Sequence, residues 1–319
     1  MSKAFFALTP DRVLSAVGAH GFEPTGHIMA LHCLENRVYD LKLENGRHVI
    51  AKFYRPGRWS SAAIREEHTF LLDLSDTEIP VAAPFMLQGQ ESLAEADGIW
   101  FAVWPRVGGR SPDELNNDEL EVLGRLLART HNVGEGKPMA ARPSLTSMRF
   151  VDASLDELER WLPYEMTTRY RAAAETIADI YDDLSEGVPW FRIHGDCHRG
   201  NLLRGPDGFV LLDFDDSLTG PAVQDLWLLI GDRGHAGERQ MDAFLKGYRQ
   251  FRSFESSWLR LVEPLRAMRM LSFSAWIARR WMDPAFPRHF PDFGSDAYWQ
   301  SELRSLEEQV ERCEASVRP

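Results

Sequence analysis

The sequence predicts an α+β protein of two lobes: a small amino-terminal lobe with an antiparallel sheet and a helix, and a larger, mainly helical carboxy-terminal lobe. Three observations predict it. A chain of 319 residues is longer than one ordinary domain. Its apolar pattern is strand-like up to residue 107 and helical afterwards. Within the helical half, one strand-like island built on 191–194 and 209–212 is interrupted by a polar loop.

The elements follow in order. Thr9-Pro10 ahead of Val13, Leu14 and Val17 reads as an N-cap, a proline at the first helical position and one apolar stripe, stopping by Gly21. Val38-Tyr39-Asp40-Leu41 and Val49-Ile50-Ala51-Lys52-Phe53 flank Glu44-Asn45-Gly46, which is a hairpin signal. Ser60 or Ser61 can cap a helix through Ile64, Phe70, Leu71 and Leu74, and the prolines of 79–84 then demand extended chain. Residues 98–107 form an apolar strand closed by Pro105 and Gly108-Gly109. Beyond them, Leu120, Leu123, Leu126, Leu127 and His131 repeat at three and four residues, as do Leu155, Leu158, Trp161 and Leu162, and helices resume at Val223. The lobe boundary is therefore placed between 1–107 and 108–319. No internal repeat or low-complexity tract occurs, which removes solenoid architectures.

Composition narrows the function. With 44% hydrophobic and 26% charged residues the chain can build a packed core. A net charge of −12 speaks against a nucleic-acid-coating surface, and the alternation of arginine and tryptophan over 266–281 is read instead as a helix with Leu265, Met268, Leu271 and Phe273 turned inward. Three widely spaced cysteines, Cys33, Cys197 and Cys313, suit a reducing compartment. No leader-like start and no membrane-length apolar run is found, so a cytoplasmic monomer is expected.

The island carries the chemistry. It reads His194-Gly195-Asp196-Cys197-His198-Arg199-Gly200-Asn201, then a turn at 205–208, then Leu211-Leu212-Asp213-Phe214-Asp215-Asp216. A carboxylate and an amide five positions apart, with a second carboxylate across a short hairpin, can converge on one divalent cation. Phosphoryl transfer needs such a cation, an acceptor hydroxyl aimed in line and neutralised phosphates. Asp196 is assigned to the acceptor hydroxyl, Asn201 and Asp213 to Mg²⁺, and Lys52 to the phosphates of ATP, with Glu67 as its partner and Glu66 the neighbouring alternative. Three clustered candidates without a Cys-x-x-Cys pair make His194, Cys197 and His198 a poor zinc site; His198 is read as a loop brace and Cys197 as a buried thiol. Asp215 and Asp216 are given turn and solvation roles.

HGDCHRGN followed by LLDFDD resembles the signature of the aminoglycoside phosphotransferase and choline kinase superfamily, whose fold is similar to that of protein kinases. The resemblance implies Asp196 as catalytic base, Asn201 as metal ligand, and Asp213 as a metal ligand counted with the catalytic centre. It further implies Trp104, Arg106 and Val107 in an adenine-facing hinge at 104–107, and Asp225 as a brace of the catalytic loop. ENRVYDL, AKFYRPGRW, EEHTFLLDL, GPAVQDLWLL, EPLRAMR and RRWMDPAFP extend the resemblance to the bacterial stress response kinase A family, which implies ATP, Mg²⁺ and Ser/Thr hydroxyls of proteins, the chain itself included. One departure is evident: the loop Leu34-Glu35-Asn36-Arg37 lacks the glycine series of protein kinases, so Asn36 and Arg37 are expected to cover the nucleotide. Kinases of small alcohols share the motifs for phosphate chemistry, and a non-catalytic ATP-binding scaffold is the third reading.

Overall fold

The computed structural model describes residue 5 and residues 8–317. Thr9 opens α1 (Pro10–Gly18), its hydroxyl oxygen accepting from the Arg12 amide at 3.4 Å. The expectation of a leader-free start rests in part on residues 1–4, 6 and 7, which lie outside the described residues.

Five strands follow around α2: β1 (Pro24–Leu31), β2 (Arg37–Leu43), β3 (His48–Phe53), α2 (Ser61–Asp76), β4 (Ala94–Ala96) and β5 (Ile99–Pro105). They form one antiparallel sheet in the order β1-β2-β3-β5-β4. The expected hairpin is β2–β3, its turn closed by the Gly46 amide donating to the Leu43 carbonyl at 2.9 Å. Alternation along β3 sorts its side chains. Val49, Ala51 and Phe53 pack with Val13 and Val17 of α1, whereas Ile50 lies on the face shared with Ile64 of α2. Lys52 takes the α2 face by the same period.

Ser60, not Ser61, caps α2, accepting from the Ala63 amide at 3.2 Å. Ile64 packs against the sheet, while Phe70, Leu71 and Leu74 join the large core of the second lobe. One helix thus belongs to both lobes, and Glu67 lies between its two contact regions.

The second lobe is built from α3 (Asn117–Glu135), α4 (Ala153–Leu158), α5 (Tyr164–Ser185), α6 (Val223–Trp227), α7 (Gly234–Tyr248), α8 (Val262–Arg280), α9 (Ala285–His289) and α10 (Asp296–Val317). Asn116 and Glu119 close a reciprocal capping box on α3, a device worth roughly 1 kcal/mol. On α8, Leu265, Met268 and Leu271 are buried as expected, but Phe273 is half-exposed, because it falls two residues after Leu271 and so leaves the inward stripe.

The island departs from the expected single hairpin. β6 (Trp190–Ile193) pairs with β9 (Leu218–Pro221), and β7 (Leu202–Gly205) pairs with β8 (Gly208–Leu211), giving two separate two-stranded sheets. The reason is local: the turn at 205–208 is just long enough to join β7 to β8, which leaves β6 to pair with the chain returning after Ser217. The Leu212 amide donates to the Asn201 carbonyl at 2.9 Å and ties the two parts together. No helix among the described residues is long and apolar enough to cross a membrane.

Candidate active site

A cavity of about 470 Å³ lies between the sheet and the island. Asn36, Lys52, Glu67, Trp104, Arg106, Val107, Asn201 and Asp213 line it, together with Cys33 and Asp40. Asp196 is not part of this lining but is joined to it: the Asn201 side-chain amide donates to the Asp196 carbonyl oxygen at 2.9 Å. That bond turns the Asn201 Oδ1 into the free end of the amide. A second hollow of about 540 Å³ lies by Gly21, Phe22, Asn45 and Arg47, and shares with the first only Pro105 and Arg106.

Lys52 is held by three carboxylates. Its Nζ lies 3.3 Å from Glu67 Oε1, 3.4 Å from Asp213 Oδ1 and 3.2 Å from Asp215 Oδ1. Burial alone would strip its charge, yet Asp215 and Glu67 together keep the ammonium protonated well above its usual range. Glu67 is thereby the partner of Lys52. Glu66 points elsewhere, accepting from the amides of Ala140, Ala141 and Arg142 at 2.7–3.0 Å.

Asp215 overturns its expected role as a solvated turn residue. Its side chain is 4% exposed and faces Lys52, Arg58 and Asn36, with the Asn36 Nδ2 donating at 2.9 Å. Arg142 reaches the Asp215 carbonyl oxygen with one nitrogen and Glu67 Oε2, at 2.8 Å, with another. Despite burial, Arg58 and Lys52 hold the Asp215 carboxyl well below the usual carboxylate range. The strand ends two residues before Asp213, which adopts a left-handed conformation (φ 57°, ψ 70°), and 214–216 form a 3₁₀ turn. The turn swings Asp215 inward, where strand alternation would have carried it outward; Asp216 is half-exposed and pairs with Arg58.

The catalytic-loop candidate is fixed from below. Asp225 on α6 accepts from the His194 and Gly195 amides, each at 2.8 Å, and lies 3.1 Å from His131. Gly195 has φ 82°, and a Cβ there would run into the Asp216 carbonyl oxygen. His198 Nδ1 accepts from the Gly200 amide at 2.9 Å, and the Cys197 thiol is buried. Asp196 itself is 22% exposed, with Arg269 Nη1 of α8 2.7 Å from Oδ1 and His198 Nε2 3.4 Å from Oδ2. Against burial, His198 and Arg269 pull its carboxyl down to about 2.

The loop at 34–37 is gripped by side chains instead of glycines. Asn36 reaches the cavity, but both ends of its amide are engaged, Nδ2 on Asp215 and Oδ1 by the Arg55 amide at 3.1 Å. Arg37 does not line the cavity; its guanidinium lies 4.8 Å from the centroid of the Phe5 ring. Glu35 is clamped to the second lobe: Trp276 Nε1 donates to it at 2.7 Å and Arg280 at 2.8 Å, while Arg55 bridges to Asp283 at 2.9 Å. Sequence reasoning missed Glu35, Arg58, Arg142, Arg269 and Arg280, whose partners lie far along the chain.

Residues 32–262 match the phosphotransferase enzyme family. Stress response kinase A of Escherichia coli (strain K12) is 38% identical over 309 residues, covering 96% of this chain and 94% of that protein. The serine/threonine protein kinase RdoA of Salmonella typhimurium (strain LT2) is 37% identical over the same coverage. In fold, the chain is similar to amicoumacin kinase hAmiN in complex with AMP-PNP, Ca²⁺ and Ami (TM-score 0.79, 20% identity, 97% of this chain and 96% of that one). A microcompartment-associated aminopropanol kinase superposes with TM-score 0.67 at 18% identity, covering 95% of each chain. The chain belongs to the phosphotransferase enzyme family, in the part of it that stress response kinase A represents.

Proposed function

We propose that this chain is an ATP- and Mg²⁺-dependent Ser/Thr protein kinase of the stress response, working in the cytoplasm as a monomer, with 104–107 as the hinge between lobes 1–107 and 108–319. The observation that carries the reading is the single cavity on which Lys52, Asn201 and Asp213 converge, with Asp196 fastened to Asn201 at its edge. The donor set suits magnesium: among the described residues no three His, Cys, Asp or Glu side chains form a metal cage, and Mg²⁺ prefers one or two protein oxygens plus phosphate and water. Asn201 Oδ1 and the Asp213 carboxylate, whose side chain is 51% exposed, would be those oxygens. When bound, the ion would draw off charge from the phosphates.

The residues then divide the work. Lys52, kept charged by Asp215 and Glu67, faces the phosphates; the hinge backbone meets adenine. Asp196 orients the Ser or Thr hydroxyl. As the Oγ–P bond forms and the bond to the ADP oxygen breaks, the hydroxyl proton passes to Asp196 and on to water.

The test is an acceptor screen with Mg·ATP labelled in the γ-phosphate. Label on Ser or Thr of added protein, or of the chain itself, supports the reading. Label only on amino alcohols, sugars or antibiotics replaces it with a small-molecule kinase, and ATP binding without transfer to any acceptor replaces it with a scaffold.

A further inference from the structure

The protein-kinase reading leaves open what selects the acceptor, and the cleft offers one group for the task. Arg269 projects from α8 across to Asp196, 2.7 Å from Oδ1, and no other ion pair or side-chain contact of its guanidinium competes among those described. It is 44% exposed, so it borders the space from which an acceptor must come. Arg266 stands one turn back on the same helix, its guanidinium stacked over Trp227 at 4.8 Å, its Nε without a hydrogen bond and Glu263 3.6 Å away. A chain of net charge −12 thus places an arginine on its acceptor carboxylate.

An incoming hydroxyl that donates to Asp196 Oδ1, the oxygen away from His198, meets the Arg269 guanidinium there. The two compete for that oxygen, and a half-shielded cation that gives up part of its pairing gains from a new anion nearby. An acceptor that brings a negative group beside its hydroxyl supplies one; an acceptor that brings a positive group meets like charge.

We propose that Arg269 is the specificity-determining residue for the acceptor and selects a Ser or Thr with an acidic side chain within a residue or two of it. The proposal rests on the kinase reading above for its peptide form, but its charge rule does not depend on the acceptor being a protein.

The experiment uses the full chain with Mg·ATP and matched Ser peptides carrying Asp, Asn, Lys or phosphoserine next to the acceptor, with wild type, Arg269→Gln and Arg269→Glu. Wild type is expected to favour Asp over Lys in kcat/KM by about tenfold or more, carried mainly in KM. Arg269→Gln should shrink that ratio to within about threefold, and Arg269→Glu should reverse it, a reversal that no merely structural role of the arginine would produce. Mg·ATP affinity, measured in parallel, should stay within about twofold in both variants, which certifies that they fold. A phosphoserine arm far ahead of Asp would assign the anion to a previously phosphorylated site, with the charge rule upheld. Wild type treating the peptides alike, or Arg269→Gln keeping the full preference, overturns the proposal. If only small alcohols are phosphorylated, the protein-acceptor reading fails; hydroxy acids outrunning amino alcohols in an Arg269-dependent way would still uphold the charge rule, and the opposite order would sink it.

Discussion

Asp215 and Asp196 are carboxylates of the same island, yet they sit in opposite kinds of surroundings. Asp215 is enclosed by Lys52, Arg58 and Asn36, each drawn from the first lobe. Asp196 meets one arginine and one imidazole at the edge of the cleft. On the proposed reading, the nucleotide side is thus organised by buried pairs within the chain, whereas the acceptor side is held by exposed contacts that a substrate can exchange. Such a division suits an enzyme whose first substrate is always the same and whose second must be chosen.

Replacing Asp196 separates the two sides most clearly. Asp196→Ala should cut kcat by about a thousandfold while leaving Mg·ATP affinity within about twofold, as read by single-turnover transfer and by titration calorimetry. Turnover retained in that variant would deny the acceptor role. Asp215→Ala should behave in the reverse manner: it removes a buried anion from between Lys52, left with Glu67 and Asp213, and Arg58, left with Asp216, so a stability loss of about 3 kcal/mol in urea and weakened nucleotide binding are expected. Its neighbour Asp216, half-exposed, should cost less than about 1 kcal/mol in the same assay.

Acid probes the buried side further. His68 is enclosed between Tyr54 Oη at 2.9 Å and Ser92 Oγ at 2.8 Å, and burial lowers its pKa from 6.5 to about 3. A depressed folded-state pKa means that the unfolded chain binds the proton more readily. The stabilisation is therefore complete above pH 6.5 and is lost as pH falls toward 3, amounting to roughly 3 kcal/mol by pH 4. Urea midpoints measured from pH 7.5 to 4 should fall accordingly, and His68→Gln should flatten the curve. The smallest effect belongs to Arg37→Ala, which should change Mg·ATP affinity by less than about twofold, because its guanidinium is turned to Phe5.

Much of this architecture could be read from local chemistry. The β2–β3 hairpin announces itself by Asn45-Gly46 between alternating runs, and α2 by Ser60 ahead of an apolar stripe, because turns and caps involve residues close in sequence. The placing of Asn201 and Asp213 on one cavity follows from a motif just as compact. What escaped were the pairs joined over distance that no motif marks. Asn36 binds Asp215 across 179 positions and Arg280 binds Glu35 across 245, and no periodicity marks such pairs. Asp215 was misjudged for a second reason: its direction depends on the left-handed turn at Asp213, and alternation ceases to hold once the strand has ended.

The hold of Trp276 and Arg280 on Glu35 has a kinetic corollary. The loop at 34–37 is moored to the opposite lobe by charge as well as by Leu34, so on the proposed reading releasing ADP would mean casting off buried ions into water. Dissolved electrolyte steadies those ions once they are bared. Product departure should accordingly quicken as ionic strength rises, and stopped-flow traces of a fluorescent ADP, slow at low salt and faster at high, would reveal the mooring as the pace-setter of the cycle.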